Sequence, residues 1–472
     1  MYKMEGARFL KHSFAYFIGS FLSKLALFFM LPIYTARIPA GDMGVYEAVT
    51  AFAVLLSSVV FFDVGVGVLR FSSAGTDEKE KGKILSSGLV LIACFSFVYL
   101  VLGGVIFGML GLPGFPLVLL YGLCNALLAA LGLVARAAGC IRLYAASGVV
   151  STLVQIVLNL ALILGAGLGV ESLYISYAAG AAVGVLLLLL GSKNVWRLGK
   201  PDSSSVRCIL RFCLPLGISA ASYWVLTSFG RVAVTLWVDE ATGGAFGISL
   251  KFAQIVVFAS FAFRLAWQEL AFAKGEMPDA VGERGRYYSD RTDLFVRIVF
   301  AVCFLLIPLS RVALALFPGF IAADYAAAGD LIPVALVGAA LTVFCDFLEP
   351  MFGAAAQTGK LFLTTALGAL SNVILIWWLI PACGAFGGHL ALIFAVTVTV
   401  SVRLLLLYRT VGLKLRARYL LFLPLLAFAL FVYLRLSVFI NLMLAVVADL
   451  LGAALLFPEL RVALRQIKRA KA

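Results

Sequence analysis

Long apolar runs recur from one end of this sequence to the other, and they decide what it can fold into. A window of about nineteen residues, enough helix to cross a hydrocarbon core, picks out about fourteen of them. They lie near 13–35, 44–69, 84–110, 117–138, 146–167, 172–192, 212–237, 244–271, 294–317, 330–350, 361–381, 387–409, 418–436 and 438–458. Hydrocarbon offers peptide groups no hydrogen-bond partner, so only helices and closed barrels cross it. These runs are too long for barrel strands and do not alternate, which excludes a barrel. With 63% hydrophobic and 13% charged residues over 472 positions, the chain's main solvent is lipid. The expectation is an all-α polytopic membrane protein. Its first run is too long for a signal peptide and lacks a small-x-small end, so it is expected to stay as the first span.

The net charge of +14 invites a nucleic-acid partner, but the location of the charges argues against one. Roughly 30 of the 37 Lys and Arg fall in alternate loops or at the termini, the positive-inside pattern. Loops after even spans carry Lys79, Lys81 and Lys83, then Arg136 and Arg142, then Lys193 to Arg207, and so on to the tail Arg461–Lys471. Loops after odd spans, such as GLPGFP and PACGAFGG, are short and nearly free of them. Both termini are expected to be cytoplasmic. The eight Cys are scattered without CxxC spacing, and Cys124, Cys213, Cys303 and Cys345 lie inside apolar runs. They read as packing residues, not metal ligands.

No polar connection is long enough for a soluble domain, and no GxxxxGK[ST] phosphate loop occurs, so no ATPase module is expected. Two internal echoes suggest a duplication. GDMGVYEAVTAFA near 41–53 is echoed by GGAFGISLKFA near 243–253, and LNLALILGAGLGVESLYIS (158–176) by SNVILIWWLIPACGAFGGHLAL (371–392). Two six-helix lobes, 1–200 and 201–412, follow as a parallel pseudo-twofold repeat, with a terminal helix pair and basic tail at 413–472.

Polar residues inside the runs are the functional candidates, because a charge there costs about 2.5–3.5 kcal/mol on insertion scales. On span 1, Ser13, Tyr16, Ser20, Ser23 and Lys24 form one stripe at helical spacing, expected to face a cavity or another helix. Lys24 is read either as the contact for an anion or as half of an interhelical salt bridge. Span 7 repeats the stripe with Ser219, Tyr223, Thr227, Arg231 and Thr235, and the two stripes are expected to face each other across a cleft. Lys251, Gln254 and Gln268 share an arc of span 8 with Arg264 at its edge, Arg264 and Glu269 reading as a local pair. Asn125 on span 4 and the pair Gln155 and Asn159 on span 5 suit sugar hydroxyls, or simply tie helices together. Asp63 and Arg70, two turns apart on span 2, read as a gate or an architectural network. Asp346 and Glu349, one turn apart on span 10, suit sodium or proton coupling, or pairing with Lys360. Two isolated His and no nucleophile elbow or paired acids leave no enzyme signature, no cofactor and no metal centre.

The first hairpin, FLKHSFAYFIGSFLSKLALFFMLPIYTARIPAGDMGVYEAV followed by FDVGVGVLRF, resembles the start of the polysaccharide and O-antigen lipid flippases. So do AAAQTGK after span 10 and SNVILIWWLIPACGAFGGHLAL in span 11. These flippases belong to the multidrug/oligosaccharidyl-lipid/polysaccharide exporter superfamily. The resemblance implies a V-shaped transporter that moves a polyprenyl-diphosphate-linked oligosaccharide to the outer leaflet of a bacterial plasma membrane by alternating access. It implies that Lys24, Arg231 and Lys251 neutralise the diphosphate, beside Tyr16, Ser20, Tyr223, Thr227, Gln254, Asn125, Gln155 and Asn159. Implied partners are membrane lipids and the glycosyltransferases and polymerase of one pathway. The alternatives are a cation-coupled multidrug exporter on the same fold and a peptidoglycan-precursor flippase.

Overall fold

The computed structural model describes residues 26–74, 77–111, 114–191, 199–276, 282–355, 357–416, 419 and 421–471. Of 73–74, 261–262, 265–266, 269, 272–276 and 458–471 only the backbone is described. Fifteen α-helices and no strand occur among the described residues. They are α1 (Leu31–Arg37), α2 (Ala40–Phe61), α3 (Val64–Ala74), α4 (Glu78–Met109), α5 (Phe115–Ala137), α6 (Ile141–Leu160) and α7 (Glu171–Gly191). Then come α8 (Ser203–Trp237), α9 (Glu240–Glu276), α10 (Glu283–Leu316), α11 (Ala326–Ala354), α12 (Thr358–Cys383), α13 (Ala385–Val411), α14 (Phe422–Arg435) and α15 (Val438–Lys471).

Among the described residues, twelve helical segments are long and apolar enough to cross a membrane. Two shorter apolar helices, Ala26–Arg37 and Phe422–Arg435, stand where the first and thirteenth spans were expected. Large apolar side chains such as Leu190, Trp377 and Trp378 point outward, as they do when the surroundings are lipid. This is a multi-pass membrane protein. The fourteen residues of α14 extend about 21 Å, short of a hydrocarbon core of about 30 Å.

The second span differs from the continuous helix expected. It breaks at Phe62 and Asp63, both at positive φ (45° and 51°), between α2 and α3. Asp63 and Arg70 therefore do not share one helical face. The Arg70 guanidinium lies 4.3 Å from the centre of the Phe212 ring instead. No Gly or Pro marks the break. Gly217 on α8 makes room for it, since a Cβ there would lie 2.3 Å from the Phe62 ring.

The chain divides into two compact units, Met1–Ser228 and Phe229–Ala472, with α8 passing from one to the other. Packing inside each unit follows the same order. In the first, α2 packs on α4 and α5, α4 on α5, α5 on α7, and α6 on α7. In the second, α9 packs on α10 and α11, α10 on α11, α11 on α13, and α12 on α13. The terminal pair is tied into the second unit. The buried Asp293 carboxylate of α10 meets Arg297 at 2.9 Å and Arg416 at 3.3 Å and accepts from the Tyr419 hydroxyl. Arg297 also donates to the Leu455 carbonyl of α15 at 3.0 Å.

Candidate functional site

Two buried arrangements, one in each unit, gather the polar side chains that an apolar chain can least carry without use. In the second unit the centre is Arg403 on α13, 1% exposed. Its guanidinium donates to the Cys345 carbonyl at 2.7 Å, the Glu349 carboxylate at 3.3 Å, Thr365 Oγ1 at 2.9 Å and Thr364 Oγ1 at 3.2 Å. Both threonines send their own protons to the Leu361 carbonyl, which leaves their lone pairs for the arginine. A planar five-donor cation suits such a divided set of acceptors. One turn away, Asp346 meets Arg264 of α9 at 2.7 Å. Asp346 and Glu349 of α11 thus each hold one arginine, Arg264 from α9 and Arg403 from α13. The Glu349 side chain stays 38% exposed beside Arg403.

In the first unit the centre is Asn159, fully buried at the end of α6. Its amide donates to the Tyr34 hydroxyl at 2.9 Å and accepts from Ser176 of α7 at 2.6 Å. Around it stand Tyr46, Tyr121, Tyr174 and Tyr177, with ring centroids of successive pairs 4.9 to 6.2 Å apart. Glu47 is buried beside them. The α6–α7 contact that aligns Asn159 with Ser176 depends on Gly180, where a Cβ would lie 2.5 Å from the Ser151 carbonyl.

The echoed segments carry this arrangement into the second unit with changed chemistry. Aligned along them, Phe246 stands where the first unit has Tyr46, Asn372 where it has Asn159, and His389 where it has Ser176. The His389 ring stacks on Phe246, centroids 4.1 Å apart and planes 17° off parallel, and its Nε2 is 2.9 Å from Ser249 Oγ. Gly388 makes the stack possible, since a Cβ there would lie 3.0 Å from both the Phe246 ring and Val234.

The other expected residues are distributed as follows. Tyr16, Ser20 and Lys24 lie outside the described residues. Tyr223 and Thr227 fall in the first unit and Arg231 in the second, all half-buried on α8, with the Thr227 hydroxyl returned to the Tyr223 carbonyl at 2.9 Å. Lys251 and Gln254 are half-buried on α9. Asn125 donates to the Tyr121 carbonyl at 2.8 Å, and Gln155 is buried with no hydrogen-bond partner for its Nε2. Asp346 and Glu349 pair with Arg264 and Arg403, not with Lys360, because α9 and α13 flank α11 while Lys360 begins α12. Arg264, expected to pair locally with Glu269, reaches across to α11 instead. Sequence reasoning missed Arg403. The signal was there, a cation within the apolar run TVTVSVRLLLL. No group of three metal-ligating side chains occurs among the described residues.

No family model and no curated protein matches the sequence. Solved structures do match. The lipid II flippase MurJ in an inward closed conformation aligns with a TM-score of 0.72 at 15% identity, over 95% of this chain and 99% of that one. An inward-facing multidrug resistance MATE family transporter of the MOP superfamily aligns at 0.61 and 16% identity, over 83% of this chain and 98% of that one. A MOP superfamily transporter from Pyrococcus furiosus, whose structure was described as having a binding pocket of reversed polarity, aligns at 0.60 and 18% identity over 84% and 94%. The chain shares its fold with these three structures, a flippase and two transporters.

Proposed function

We propose that the protein is a flippase for a polyprenyl-diphosphate-linked oligosaccharide in a bacterial plasma membrane, serving surface polysaccharide assembly. The observation that carries this reading is the extent of the likeness. The lipid flippase matches 95% of the chain, whereas the MATE family transporter matches 83%. The shortfall is about the size of the terminal helix pair, and extra membrane surface of that size suits a cargo with a long lipid tail. On this reading Lys24, Arg231 and Lys251 each offer a cation to the diphosphate as it passes. Span 1 carries Lys24 and no carboxylate, which suits anionic cargo. Amides and hydroxyls of Gln254, Asn125 and Thr227 meet the sugar.

A second reading, a cation-coupled exporter of amphipathic drugs, draws support from Glu47 buried among tyrosines, a setting that suits an organic cation. One experiment separates the two. Purified protein in proteoliposomes is given a fluorescent polyprenyl-diphosphate oligosaccharide or a cationic dye. Faster transbilayer movement of the glycolipid, slowed by Lys24→Ala and Arg231→Ala, supports the flippase. Dye transport without glycolipid movement would overturn it. Deleting the gene then shows which glycan depends on the protein: loss of a surface polysaccharide fits the proposal, whereas arrested wall synthesis points to a peptidoglycan precursor.

A further inference from the structure

His389 has one ring nitrogen engaged and one bare. The Ser249 hydroxyl has a single proton, and the Phe246 carbonyl 2.7 Å away takes it. Ser249 Oγ therefore accepts at His389, which puts the ring proton on Nε2 and leaves Nδ1 as a lone-pair acceptor. The ring is 1% exposed, and Nδ1 has no hydrogen-bond partner. An orphaned acceptor in an apolar pocket is costly and unusual. Its counterpart in the first unit, Ser176, is fully engaged with Asn159 and its own helix.

We propose that Nδ1 of His389 is a proton-binding site, and that proton uptake there opens the contact between α9 and α13. The step is a transfer from hydronium to the ring, giving imidazolium and water, with Nε2–H kept on Ser249. The imidazolium gains the face of Phe246 as a cation–π partner but nothing for its new Nδ1–H. Arg264 on α9 and Asp346 and Glu349 on α11 are engaged in the Arg403 region, and the ionisable groups nearer to the ring along the surrounding elements are few. Arg231 and Asp239 flank the α8 segment, Glu240 and Lys251 flank Phe246 and Ser249 on α9, and Asp330 adjoins Leu331 on α11. Helix α12 carries Lys360 and Cys383 at its two ends, and α13 carries Arg403, Tyr408 and Arg409 beyond His389. None of these makes a hydrogen bond to the ring. A charged ring sealed among apolar side chains is unfavourable, so protonation selects a conformation in which Nδ1–H reaches water. By linkage the opened state binds the proton more tightly, and lowering the pH populates it. This requires that the second unit change conformation, not that its cargo be a glycolipid.

The chain has only two histidines, which makes the test direct. In a His12→Gln protein labelled with ¹⁵N- and ¹³C-histidine and held in nanodiscs, every ring signal is His389. At about pH 7.5 the ring is expected neutral with its proton on Nε2. Toward about pH 5, Nδ1 is expected to gain a proton while amide exchange near Phe246–Ser249 and Gly387–Ala391 rises about tenfold. His389→Gln, of similar size and uncharged, should abolish that rise. A ring that stays neutral down to about pH 4.5, titration without a change in exchange, or a rise that survives in His389→Gln would each overturn the proposal.

Discussion

The two units use one packing order and opposite polar chemistry. In the first, Asn159, Tyr34 and Ser176 close on one another, and none of the three carries a full charge at neutral pH. In the second, Asn372 and His389 hold the places of Asn159 and Ser176, Phe246 holds that of Tyr46, and the polar burden shifts fourteen residues along α13 from His389 to Arg403. A small neutral network is cheap to bury and cheap to lose. A buried guanidinium is expensive to bury and more expensive to strip of its partners, because the remaining charge has no water to turn to. The first unit is thus held by many weak ties and the second by a few strong ones.

Three substitutions would break or sharpen that contrast. The largest effect belongs to Arg403→Met, which takes the guanidinium from the Cys345 carbonyl, two threonine oxygens and Glu349. It should cost about 3–5 kcal/mol of stability in mixed-micelle unfolding, with partial recovery when Glu349→Gln is added. A loss below about 1 kcal/mol would remove the distinction between the units. Next comes Asn159→Leu, which removes two hydrogen bonds and should cost about 1–2 kcal/mol in the same assay, since intramembrane ties average about 0.6. A cost equal to that of Arg403→Met would show the first unit to be the more tightly held.

The smallest effect lies at the start of α9. Asp239 caps that helix, accepting from Thr242 Oγ1 at 2.6 Å and Thr242 N at 2.8 Å. The Thr242 hydroxyl is the main reason its carboxyl is held below the usual range. Asp239→Ala should lose about 1 kcal/mol. Because the folded value is depressed, the contribution is fully present above about pH 4 and fades as the pH falls through the folded value. A melting difference between wild type and Asp239→Ala that persists undiminished at pH 3 would refute the assignment.

Much of the scaffold was legible in the sequence, because hydrocarbon imposes one rule on every residue that crosses it. Run length alone located the long helices and the two short ones at Ala26–Arg37 and Phe422–Arg435. The break at Phe62–Asp63 was not legible: two non-glycine residues at positive φ leave no local mark, and the glycine that accommodates Phe62, Gly217, lies 155 positions on. Pairings were legible only in kind. Asp346 and Glu349 stood out as costly carboxylates, but their partners, Arg264 and Arg403, were chosen by helix neighbours and not by chain neighbours. The same holds for Asn159, singled out as a polar residue beside Gln155 while its hydrogen bonds go to Tyr34 and Ser176.

The order of Arg403's partners along the chain bears on how the protein is made. Cys345, Glu349, Thr364 and Thr365 all precede it, on the two helices that leave the ribosome just before its own. When α13 emerges, its acceptors are already in the membrane. An arginine that would weigh against insertion by about 2.5–3.5 kcal/mol in an isolated segment meets a prepared receptor instead. Translation order and the burial of this one cation are therefore matched. Changes at Thr364 or Thr365 should surface first as failed insertion of the helix after them, before any fault in the finished molecule.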